Sequence, residues 1–174
     1  MASSKSSVII MGHPKKFKKK YERPKKPYDK ARIESERKVL DNFGLRRKKE
    51  IWRAESIVRN FRRRARALQA KPNEKSEKEL IEHLNKIGIS CKRMDDVLQI
   101  TLEDILARRL QTIIFKKGLA NSMKHSRQLI VHGHVTVENK KISWPSYIVE
   151  KITEDKISLD PYIASIAAKE VKKE

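Results

Sequence analysis

Residues 105–149 decide how this chain is read. They include Ile-Leu-Ala-Arg-Arg-Leu-Gln-Thr (105–112), Lys-Lys-Gly-Leu-Ala (116–120), Ser-Arg-Gln-Leu-Ile-Val-His-Gly-His-Val (126–135) and Trp-Pro-Ser-Tyr-Ile-Val (144–149). Thr101 and Asp104 form a capping pair, after which Leu106, Leu110, Ile113 and Ile114 recur at helical spacing and predict one buried face. Arg108, Arg109, Lys116 and Lys117 are then expected to project away from it. Gly118 suits the left-handed residue that ends a helix. Ser122 caps a second helix, with Leu129 and Ile130 inward and Lys124, His125, Arg127 and Gln128 outward, and Gly133 stops it. Val135 and Val137 alternate as a strand, and Glu138 to Lys141 make the turn, with Asn139 the residue best suited to positive φ. Ile142 begins the return, and Pro145 ends pairing before Tyr147 to Val149. Two short helices, a glycine-punctuated turn and a strand pair make a compact unit with cations gathered at its helix ends.

The charge of the whole chain is large and lopsided. Lys and Arg number 42 against 22 acids, a formal net charge of +20 on 174 residues. Residues 1–71 hold 24 basic and 7 acidic side chains, whereas residues 72–174 hold 18 and 15. Such a charge opposes compaction and favours polyanionic partners. No apolar run approaches the roughly 18 residues that span a bilayer, so no membrane partner is expected. Residues 1–10 lack the basic flank and long apolar core of a secretory signal. The single Cys91 excludes an internal disulfide and fits a reducing cytoplasm.

Residues 1–28 read as a basic extended arm, with Lys15, Lys16, Lys18, Lys19, Lys20 and Tyr21 at its centre. It cannot bury enough apolar surface to offset its ordering entropy. Its aromatics can stack on bases or riboses, so the arm is expected to order on RNA. Residues 29–102 read as a helical domain. Asp29 caps a helix that Gly44 ends, and Arg46 and Arg47 open the longest helix, which runs to residue 70. There Ile51, Ala54, Val58, Phe61, Ala65 and Leu68 form one apolar stripe, and Arg59, Arg62, Arg63 and Arg66 form another, about 100° away. No acid ladder matches those arginines, and the guanidinium fork suits phosphate, so they are candidate RNA ligands. After the break at Lys71-Pro72-Asn73, Ser76 with Glu79 reads as a capping box. Asp95 and Asp96 read as helix-start residues and not as an acid–base pair.

His132-Gly133-His134, with His125, has the look of a metal site. Gly133 sends the two histidines in different directions, and no carboxylate or thiol sits at a suitable spacing. His132 and His134 are expected to hydrogen-bond phosphate or base, and neither metal nor cofactor is expected.

Taken together, Arg108-Arg109-Leu110, Lys117-Gly118-Leu119-Ala120, residues 126–135 and Pro145-Ser146-Tyr147-Ile148-Val149 closely resemble the S-four RNA-binding domain. Gly12-His13-Pro14-Lys15-Lys16 and the Glu77-Lys78-Glu79-Leu80 helix are similar to the archaeal branch of the small-subunit ribosomal protein S-four family. Asn139 stands where that family usually has Gly, and the cysteine cluster of some bacterial relatives is missing. The resemblance implies an α+β fold: a basic arm (1–28), a helical rRNA-binding domain (29–102), an α/β-hairpin module (103–160) and a tail (161–174). It implies a non-enzymatic constituent of the cytoplasmic small ribosomal subunit. Such a protein clamps a multi-helix junction in the 5′ domain of the rRNA, nucleates assembly and influences decoding accuracy near the channel by which messenger RNA enters. Its partners would be small-subunit rRNA, neighbouring ribosomal proteins and messenger RNA, with no homo-oligomer. The other readings are a free-standing S-four chaperone of RNA and an accessory to RNA modification. Against an enzyme stand the absence of a phosphate-binding glycine loop and of any Ser-His-Asp or Cys-His set.

Overall fold

The computed structural model describes residues 20–161. Lys15, Lys16, Lys18 and Lys19, and all but the first residue of the expected tail, lie outside the described residues. The fold is α+β, with seven α-helices and three short strands among the described residues.

The first helix, α1 (Lys30–Asn42), follows Asp29, whose side chain makes no capping bond, and it ends into Gly44 at φ +55°. The second, α2 (Lys48–Ala70), begins two residues later than Arg46 and buries Ile51, Ala54, Val58, Phe61 and Ala65 as the spacing requires. The third, α3 (Glu74–Ile87), starts before the expected capping box: Asn73 holds the N-cap position, and Ser76 lies inside the first turn. Pro72 keeps Lys71 extended, so Asn73 is the first position from which a helix can start. Glu74 and Glu77 then complement the helix dipole.

The next helix, α4 (Met94–Gln99), opens as read, because the Asp96 carboxylate accepts the N–H groups of Lys92 and Arg93 at 2.8 and 2.9 Å. Those two backbone donors hold the Asp96 carboxyl below its ordinary range.

The expected single helix from Thr101 to Gly118 is two helices, α5 (Leu102–Ala107) and α6 (Leu110–Lys116). Leu110 N donates to Tyr147 O at 2.8 Å and Val149 N to Arg108 O at 3.0 Å. Residues 108 and 109 therefore leave the helix to bridge the segment at Ile148, where Tyr147 to Val149 find their pairing. The α7 helix (Met123–Val131) packs on α6, and Ser122 Oγ accepts His125 N.

The sheet has the order β2-β1-β3, with β2 (Lys140–Lys141) and β3 (Ile157–Leu159) flanking β1 (Val135–Val137), each antiparallel to it. Glu138 and Asn139 both have positive φ (49° and 65°), so the hairpin turn is two residues and Lys140 and Lys141 belong to the strand. Strand β3 had no signal in the sequence, since three residues beside Asp155-Lys156 are too short to show alternation.

The buried apolar residues form two cores. One gathers α2 to α5, including Phe61, Leu80, Leu84, Val97, Ile105 and Leu106. The other gathers α6, α7 and the sheet around Leu110, Ile114, Ile130, Val135 and Val149. Ile105 and Leu106 thus belong with the helical part and not with the module. The chain passes between the cores at Arg108-Arg109.

Candidate nucleic-acid interface

Arg59, Arg62, Arg63 and Arg66 line one shallow groove on α2, together with Glu55, Val58 and Leu102. They are not equivalent. Arg62 Nη2 donates to Ile100 O at 2.7 Å, which anchors α2 to the end of α4. Arg59 pairs with Glu22 of the arm root. Arg63 and Arg66 are exposed and have no acceptor among the described residues. Arg46 and Arg47, just before α2, are exposed as well.

On the module, Lys116, Lys124, Gln128 and His132 are exposed, whereas Arg108, Arg109, Lys117 and Arg127 are drawn inward. Arg109 is only 6% exposed, and its Nη2 lies 2.5 Å from Glu50 Oε2. Arg127 approaches the same carboxylate with Nη2 3.2 Å from Oε1 and Nη1 3.3 Å from Oε2. Burial opposes the charge on Glu50, but the hydrogen bonds and charges of Arg127 and Arg109 outweigh it and hold the carboxyl below its ordinary range. Burial pulls the Arg109 pKa down, and Glu50 counters it.

Arg108 Nε donates to Ile87 O at 2.6 Å, and its Nη2 reaches Glu154 Oε2 at 2.8 Å and Val149 O at 3.3 Å. Lys117 Nζ donates to Glu154 O and lies 3.9 Å from Asp155. The expectation that Arg108 and Arg109 project outward is therefore corrected. The break between α5 and α6 turns both into the seam between the cores, where carbonyls and carboxylates receive them.

Polar contacts fill the rest of that seam. Gln111 is buried, and its Nε2 donates to Met123 O at 2.8 Å and Gly44 O at 3.1 Å. Gly44 and Gly88 end α1 and α3 at positive φ, and a Cβ on either would come within 2.7 Å of Met123 Cβ or Arg108 Cζ respectively. Both glycines make room for the module.

Tyr21 also packs inward. Its ring lies 6.0 Å from that of Trp52, half-buried against α2, while Lys20 beside it is exposed. His125 Nδ1 accepts Asn121 N at 3.4 Å, and His134 Nδ1 lies 3.4 Å from Asp160 Oδ2. The rings of His132 and His134 stack at 6.1 Å. Among the described residues no group of His, Cys, Asp or Glu is arranged to hold a metal, and no helix is long and apolar enough to cross a membrane.

Sequence reasoning missed Glu50. A single acid closing the run Arg46-Arg47-Lys48-Lys49 was the available signal, because one carboxylate among many bases is well placed to neutralise buried guanidinium.

Two cores, a helix-helix-hairpin unit and an excess of exposed cations define an S4-domain protein, and residues 108–157 match the S4 domain family. Similarity extends well beyond that unit. Small ribosomal subunit protein uS4 of Methanothermobacter thermautotrophicus is 44% identical over 156 residues, covering 87% of this chain and 91% of that protein. The uS4 proteins of Methanococcus aeolicus and Hyperthermus butylicus are 47% and 46% identical, each covering 87% of this chain and 89% of their own length. The chain belongs to the small ribosomal subunit protein uS4 family.

Proposed function

We propose that this chain is a structural, non-enzymatic constituent of the cytoplasmic small ribosomal subunit that binds its rRNA. In this reading it clamps a multi-helix junction in the 5′ domain, nucleates assembly, and bears on decoding accuracy near the channel by which messenger RNA enters. Neighbouring ribosomal proteins and messenger RNA are its further partners. One observation carries the clamp. Exposed cations remain on α2 (Arg63, Arg66) and on α7 (Lys124, with Gln128), while inward arginines lock the two cores that bear them. Two charged faces on a locked frame match folded RNA, which is recognised by shape and backbone more than by base edges.

The arm residues Lys15, Lys16, Lys18, Lys19 and Lys20 add to this grip. Arg46, Arg47, Lys116, His132 and His134 extend the two faces. Arg108 and Arg109 act from behind, by setting the angle between them. Footprinting the full chain on small-subunit rRNA tests the proposal. Protection spread over several helices that meet at one junction is expected, and protection of a single stem overturns it.

A further inference from the structure

The arm root does not hang free. Residues 20–28 lie against α1 and α2, held by Arg32 Nη2, which donates to Lys26 O at 2.7 Å and Pro27 O at 3.0 Å. The Tyr21–Trp52 contact and the Arg59–Glu22 pair hold the near end. Beneath this strap lies an open cleft of about 540 Å³, walled by Pro24 and Pro27, with Trp52 on one side. That volume falls within the roughly 300–1,000 Å³ of small-ligand sites.

The floor of the cleft is built around a buried acid. Glu36 is 5% exposed; its Oε1 accepts Trp52 Nε1–H at 3.0 Å and Arg32 Nη1–H at 3.2 Å, and its Oε2 lies 3.1 Å from Lys48 Nζ. Those contacts fix the indole and neutralise the carboxylate. At the rim, Arg23, Arg47 and Lys49 are exposed and have no acceptor among the described residues. The cleft therefore pairs a preset aromatic ring with an excess of unneutralised cations.

We infer that this cleft receives one unstacked nucleotide of bound RNA, with its base against Trp52 and its phosphates on Arg23, Arg47 and Lys49. The inference rests on the rRNA-binding reading and extends it to a site of single-strand capture. An apolar protein segment would leave three cations desolvated, and a bare phosphate would make no use of the ring. An unstacked nucleotide satisfies both. Stacking on a fixed indole tolerates any base, so the site grips a bulged or looped position without reading its identity.

The test uses the full chain carrying Trp144→Phe, which leaves Trp52 as the sole remaining tryptophan of two. A single-stranded RNA of about six nucleotides, the matching duplex and inorganic polyphosphate are titrated separately while Trp52 emission is followed. Saturable quenching by the single strand alone is expected. Adding Arg47→Ser and Lys49→Ser should weaken that binding on the order of tenfold or more without lowering the melting temperature, since Arg47 holds the N-cap position of α2, which serine suits. Unchanged emission, or equal quenching by polyphosphate, overturns the inference. Anisotropy of a labelled small-subunit rRNA fragment in the same samples separates the two levels. RNA bound with Trp52 silent rejects the cleft alone, and no RNA bound rejects the rRNA reading with it.

Discussion

Glu50 Oε2 and Arg109 Nη2 lie 2.5 Å apart, joining the first turn of α2 to the break between α5 and α6. Their side chains are 18% and 7% exposed, and the buried Arg109 Nε has no hydrogen-bond partner among the described residues. The contact is therefore a buried charge pair whose guanidinium depends on one carboxylate. Arg127 shares that carboxylate from α7, so three elements from two cores meet at one acid.

Replacing Glu50 leaves a buried charge uncompensated, which costs about 3–5 kcal/mol when only one partner is removed. Glu50→Ala should lose about 3 kcal/mol in urea unfolding, discounted because Arg127 can turn toward water. Glu50→Leu with Arg109→Met should recover most of that loss, since paired apolar replacements of a buried ion pair are often neutral. A double variant no more stable than Glu50→Ala would show that the seam is not held by this pair.

The same pair sets an acid limb. The carboxyl of Glu50 is lowered from an ordinary value of 4.5 in the folded chain. A depressed folded pKa stabilises fully above the unfolded value, and that stability fades as pH falls through the folded one. Unfolding free energy should thus hold at neutral pH and fall below about pH 4.5. Glu50→Gln should flatten that fall, which a series of urea melts at stepped pH would register.

The four positive-φ glycines among the described residues should separate into two classes. At Gly44 and Gly88 a Cβ meets atoms at 2.7 Å, whereas at Gly118 and Gly133 nothing lies within 4 Å. Alanine at Gly118 or Gly133 should cost about 1 kcal/mol, the price of a left-handed backbone alone. Gly88→Ala should cost more, about 2–3 kcal/mol, because Arg108 must give up its place on Ile87 O. Thermal melts of the four single variants would rank them.

Exposed and inward arginines should part company in RNA binding. Arg63→Ala with Arg66→Ala should leave the melting temperature unchanged and lower the slope of log K against log salt by roughly 1.4–1.8, at about 0.7–0.9 per phosphate contact. Arg109→Ala should lower stability first. Filter binding across a salt series, beside calorimetry, distinguishes the two behaviours. A slope unaffected by the double variant removes the α2 flank from the interface.

Much of the fold was legible along the chain because local periodicity carried it. The α2 stripe from Ile51 to Ala65, the Thr101–Asp104 cap, the stops at Gly44 and Gly133, and the positive φ of Asn139 are all near-neighbour effects. The helix break at Arg108 was not legible. Leu106, Leu110 and Ile113 keep helical spacing through it, and the hydrogen bonds that open it come from Tyr147 and Val149, far along the chain. Strand β3 was hidden because three residues show no alternation and its partner among the described residues, Val135–Val137, lies well back along the chain.

The excess of charge, the helical periods and the turn residues are set along the chain, since each depends on composition or close neighbours, and the motifs at 108–110, 117–120, 126–135 and 145–149 carry the family resemblance. Which cations face outward depends on how distant elements pack. Arg63 and Arg109 look alike as letters, yet one is exposed and the other finds Glu50 across 59 residues of chain. A guanidinium buried beside a carboxylate becomes part of the frame, and one left in water remains available to phosphate. That choice follows from how the two cores meet, which no local pattern encodes.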